Sequence, residues 1–86
     1  MTINVKKKWY DAIRNGTKDV EYREIKDYWT KRLSKIKSGD IVTFRHGYKR
    51  TNGDIYAKVT KIDIGSCPYQ GWSGDYYRIH FTKVKV

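Results

Sequence analysis

The segment Gly16-Thr17-Lys18-Asp19-Val20-Glu21-Tyr22-Arg23 interleaves charges of both signs with apolar residues directly after a glycine. If Val20 and Tyr22 face a core, the twofold alternation of a strand sends Asp19, Glu21 and Arg23 to the opposite face. Lys18 has the wrong parity for that face and must reach it from the turn, which Gly16 permits through a backbone conformation closed to other residues. Polar side chains gathered in this way are costly to desolvate unless paired, so the segment reads as a site. Lys18 is the candidate contact to a phosphate or substrate oxygen, Glu21 a base or hydrogen-bond acceptor, and Arg23 its orienting partner. The competing reading is a structural Glu21–Arg23 ion network completed by Asp40 or Lys18.

The rest of the chain supplies the frame. Lys7 to Asn15 puts Trp9, Ala12 and Ile13 on one helical face and ends at Gly16 as a C-terminal cap. Asp27 is placed to cap a second helix, in which Trp29, Leu33 and Ile36 line one face and Lys31, Arg32 and Lys35 the other. Ser38-Gly39-Asp40 breaks that helix, Ile41 to His46 reads as a strand, and Thr51-Asn52-Gly53-Asp54 as a hairpin turn into Ile55 to Ile64. Two strands change parity midway: Ala57 and Val59 give way to Ile62 and Ile64, and Tyr77, Ile79 and Phe81 to Val84. A bulge that swaps the inward face is how a strand turns a barrel corner, so a small, strongly curved mixed sheet is expected. With no repeat, low-complexity tract or linker, residues 1–86 read as a single α+β domain.

Such a chain buries only roughly 60 to 65% of its unfolded surface. Its hydrophobic fraction is 38%, with 3 Trp, 8 Tyr and 2 Phe, so aromatic rings with polar edges must fill much of the core. Helical spacing assigns Trp9, Tyr10 and Trp29 to that core. Tyr48, Tyr69, Trp72 and Tyr76 lie in or beside loops, and Gly65 to Asp75 is irregular enough to form a lid, a binding loop or a plug. Trp72 reads equally as a stacking platform or as that plug. His46 and His80 alternate with apolar residues on strands and read as outward or hydrogen-bonded residues. The single cysteine, Cys67, excludes an internal disulfide and offers no metal-binding spacing, which suits a reducing cytoplasm; no metal or cofactor is implied. No signal-peptide or membrane-spanning run is present, so no membrane partner is expected.

A formal net charge of +10 creates a field that attracts polyanions, nucleic acid first among them. The cations are scattered over Lys6 to Lys8, Lys31 to Lys37, Arg45 to Arg50, Lys58 to Lys61 and Lys83 to Lys85, and can converge only in the fold.

Gly16-x-Lys18-x-x-Glu21-x-Arg23 after a short Trp-bearing helix resembles the signature of the ASCH domain family. Trp9 and Ile13 before it, Trp29 after it, the strand entry Ser38-Gly39-Asp40-Ile41-Val42-Thr43-Phe44, and Tyr77-Arg78-Ile79-His80-Phe81 as a closing strand extend the likeness. It covers residues 5 to 64 and weakens beyond. The resemblance implies a PUA-like fold: a small mixed β-barrel with two helices packed at one side and the signature in a cleft between helix and barrel.

The leading function is then an RNA-binding module holding single-stranded or structured RNA, or a nucleotide, in a basic cleft, with contacts from Lys18, Glu21, Arg23, Arg45, Tyr48, Lys49 and Trp72. Small ASCH-like proteins also include ribonucleases and amidohydrolases acting on N4-acetylcytidine, in which case Lys18 and Glu21 would be catalytic. In the amidohydrolase subgroup a Thr stands three residues after the signature Lys, where this chain has Glu21. An interaction protein with an acidic partner is the third class.

Overall fold

The structure, a computed structural model, describes residues 1–47 and 53–84. The elements run β1 (Thr2–Asn4), α1 (Lys7–Arg14), β2 (Val20–Arg23), α2 (Asp27–Leu33), β3 (Ile41–Arg45), β4 (Ile55–Ser66) and β5 (Asp75–Lys83). This is an α+β architecture of two helices and one mixed five-stranded sheet, ordered β1-β3-β4-β5-β2. Among the described residues only β1 and β3 pair in parallel, with Thr2 opposite Thr43; the other neighbours are antiparallel.

The mixed sheet is present, but it is not closed into the barrel that the resemblance implies. The outermost strands β1 and β2, three and four residues long, share no ladder. A side chain spans the seam instead: Arg23 Nη2 on β2 donates to the Asn4 carbonyl on β1 at 2.9 Å.

The first parity change is a real bulge. Val59 pairs with Phe81 and Lys61 with His80, leaving Thr60 as the extra residue that turns β4 over. The second is not, since Val84 lies past the end of β5 and makes a single backbone bond to Tyr56. Asp27 is likewise the first residue of α2 rather than its cap; Lys26 holds the cap position without a side-chain bond. Of the expected hairpin turn, Thr51 and Asn52 lie outside the described residues, as do the candidate contacts Tyr48 and Lys49. Gly53 adopts φ +78°, a left-handed conformation suited to the turn.

One core joins the sheet to both helices. Val42, Phe44, Ile55, Ala57, Val59, Ile79 and Phe81 from the sheet meet Tyr10 and Ile13 of α1 and Leu33 of α2. Phe44 and Phe81 pack with ring centroids 4.8 Å apart across the middle. Ile3 and Val5, in and just after a strand too short to show periodicity, are also buried in it.

Candidate functional site

The turn after α1 delivers Lys18 to the site. Gly16, at φ +86°, donates to the Ile13 carbonyl and Thr17 to that of Ala12, the paired bonds that close a helix through a left-handed glycine. The Lys18 amide also bonds Ala12, so the chain folds back along the helix end before β2 begins. The Thr17 hydroxyl stays at that helix end, 2.7 Å from Asn15 Oδ1.

The parity of β2 is the reverse of that expected. Glu21 pairs with Ile79 and Arg23 with Tyr77, whereas Val20 and Tyr22 stand opposite His80 and Arg78. The charged residues therefore take the inner side and the apolar ones the outer. Glu21 is buried at 4% exposure and Lys18 at 7%. Such inversion is sustainable because every charge has a partner. Lys18 Nζ donates to the Val20 carbonyl at 2.6 Å and to the Tyr69 hydroxyl at 2.9 Å, and forms an ion pair with Glu21 Oε1 at 3.3 Å. Arg23 Nη2 holds Glu21 Oε2 at 2.5 Å.

Three rings enclose the Lys18 ammonium: Trp9, Tyr69 and Tyr22, with centroids 4.9, 5.0 and 5.1 Å away. Trp9 and Tyr69 are stacked, 4.5 Å apart and 22° from parallel. Burial, with Cys67 and Tyr69 nearby, pushes the Tyr22 phenol above its usual range, so it stays neutral. Lys18 thus ties α1, β2 and the Tyr69 loop together, and its ammonium is bonded inside the protein.

Arg23 differs. Its guanidinium lies 4.8 Å from the Trp29 ring centroid, and among the described residues its buried Nε has no hydrogen-bond partner. Two adjoining clefts meet at this residue. The first, about 280 Å³, is walled by Asn4, Lys6, Trp9, Tyr69 and Trp72; the second, about 360 Å³, by Lys26, Trp29, Gly71 and Tyr76. Tyr22, Arg23 and Trp72 line both. All 3 tryptophans of the chain therefore face these clefts, including Trp9 and Trp29, which helical spacing had assigned to the core. Both are half-buried: one face packs on the core and the other forms a wall. Trp72 packs at 5.8 Å from Tyr69 and 5.3 Å from Tyr76, so the loop after β4 carries its ring over the junction and remains 37% exposed.

The other candidates are placed elsewhere. Arg45 makes a two-pronged bond to Asp54, at 2.8 Å for both contacts, and lines neither cleft. Asp40 accepts the Lys37 amide at 2.8 Å in its own turn and takes no part in the Lys18 network. Asp19 is exposed. His46 Nδ1 lies 3.2 Å from the Val5 carbonyl, and His80 Nε2 lies 3.1 Å from Asp63. Tyr69, named as a loop aromatic by the sequence, proves central; no local signal links it to Lys18, which lies 51 positions away. Among the described residues no His, Cys, Asp and Glu side chains group as a metal site, and no helix is long and apolar enough to cross a membrane.

Compared with known proteins, the chain matches no protein-family model and no curated protein sequence.

Proposed function

We propose that this protein is an RNA-binding module that holds unpaired nucleobases in the paired clefts around Arg23. The observation that carries the reading is the convergence of all 3 tryptophans on that cleft pair, beside an arginine with an unmet buried donor. Every nucleobase has a π-face, and stacking on aromatic rings contributes about 1–3 kcal/mol per base. The Arg23 side chain, which lines both clefts, offers a cation to a base carbonyl or a phosphate oxygen, while the formal charge of +10 attracts the backbone at long range. Lys18 and Glu21 serve as the scaffold that sets the cleft walls. On the ASCH resemblance, the sheet is a PUA-like barrel left open at one seam, and the seam is the binding cleft.

Hydrolysis of RNA or of an acetylated nucleoside has less support. The Lys18 ammonium is buried and bonded to Val20 and Tyr69, Glu21 is enclosed, and the Thr17 hydroxyl is held at the end of α1.

Titration with single-stranded RNA, read by tryptophan fluorescence, tests the proposal. Stacking should quench emission, and Trp72→Ala should weaken binding by about 1–3 kcal/mol. Absence of quenching and of retention at low salt would remove the reading. Release of acetate from acetylated cytidine, or cleavage of the RNA, would replace it with an enzyme.

A further inference from the structure

A wider groove, about 810 Å³, lies along the opposite flank of α2. Tyr28, Lys31, Arg32 and Lys35 line it from the helix side, with Met1 and Ile41 from the sheet. Neither Lys31 nor Lys35 has an ion-pair partner among the described residues, and both are exposed. Arg32 lies over the exposed Tyr28 ring, 4.2 Å from its centroid, presenting a flat cationic face. The groove also holds two carboxylates with local duties: Asp40 binds the Lys37 amide, and Asp27 sits in the first turn of α2, where the helix end favours a negative charge.

The groove adjoins the tryptophan clefts. Lys26 and Trp29 line the second cleft while Asp27 and Tyr28 line the groove, and the Tyr28 and Trp29 rings meet edge to face at 5.1 Å. A strand leaving that cleft reaches the groove by passing the first turn of α2.

We infer that the α2 groove carries the sugar-phosphate backbone of the same RNA, continuing the strand whose bases occupy the Arg23 clefts. The inference rests on the RNA reading above and gives it a length: the site takes an extended single strand rather than a mononucleotide. Charge favours this occupant, because exposed lysines with no ion pair among the described residues suit a repeating phosphate line and gain from counterion release. The exposed guanidinium face of Arg32, backed by the Tyr28 ring, adds a stacking position for one further base.

Binding of uridine oligonucleotides of about 3 and about 12 residues, measured by anisotropy at several salt concentrations, separates the two levels of the claim. The longer RNA should bind the wild type more tightly. Lys31→Gln/Lys35→Gln should weaken it about tenfold and reduce its log–log salt slope by about 1.4, since each lost phosphate contact in a single strand removes roughly 0.7. The short RNA should stay within about twofold, as it fills only the clefts. Lys7→Gln/Lys61→Gln, which lowers the formal charge equally, should change neither. If both RNAs bind equally well, or the two double variants behave alike, the groove is not part of the path and the cleft reading survives. If neither RNA binds, both fall. A polyglutamate peptide that binds through Lys31 and Lys35, with the RNA indifferent to them, would assign the groove to an acidic protein and overturn the inference.

Discussion

Two clusters of the same chemical types sit on opposite faces of the sheet. Lys18, Glu21 and Arg23 surround a carboxylate with two cations on the inner side, where the Lys18 and Glu21 side chains are 4% and 6% exposed. On the outer side the Asp63 carboxylate sits between Arg78 and His80, where Asp63 and Arg78 are each 30% exposed. In the outer cluster Arg78 grips Asp63 through bonds of 2.8 and 3.0 Å, and His80 joins at 3.1 Å. The geometry is as good as that of the inner cluster, so geometry does not set the difference between them. Burial does: water can replace any lost partner outside, whereas inside a lost partner leaves a stranded charge.

The largest test of that contrast is Glu21→Gln, which strands two cations beside the core. It should cost about 3–5 kcal/mol in urea denaturation; a loss as small as that of an exposed pair would break the comparison. Next, Tyr69→Phe removes one acceptor from the Lys18 ammonium while keeping the stack on Trp9, and should cost about 1.5–3 kcal/mol with near-ultraviolet dichroism retained.

On the outer face, Asp63→Asn should lower the melting temperature by about 4 °C or less at pH 7. Hydrogen bonds from Arg78 first, and from His80 second, hold the Asp63 carboxyl well below the usual range. Its contribution is therefore complete above the unfolded value of about 3.9 and fades as pH falls towards the folded one. Wild type and variant should differ at pH 7 and converge in strong acid; a gap that widens in acid would reverse the sign. Gly65→Ala should do least, about 2 °C. The added methyl overlaps the end of the flexible Arg78 side chain, which must move aside, so the loss should vanish in an Arg78→Ala background.

The inner cluster was also the harder one to read from the chain. The glycine cap and the bulge at Thr60 were legible because each is a local event: a left-handed turn after a helix, and a change of hydrophobic parity within one strand. The inward turn of Glu21 was not. Alternation places Val20 and Tyr22 inside on hydrophobicity, and nothing nearby signals that Tyr69 and the Asn4 carbonyl arrive to complete the charged side. Trp9 shows the same limit in a helix, since 3.6-residue spacing marks the face that meets protein without saying whether it ends in core or in a cleft wall. The three-residue β1 is too brief to carry any period, and its partner β3 lies far along the chain.

Arg23 reaching across to Asn4 also bears on how the protein behaves at high concentration. An open sheet exposes two rows of unpaired backbone groups, and such rows invite strands from other molecules to add on. Here one row offers three residues and the other four, and the Asn4 carbonyl that an incoming strand would need is already taken by the guanidinium. The residue that joins the clefts thus also guards the sheet against self-association.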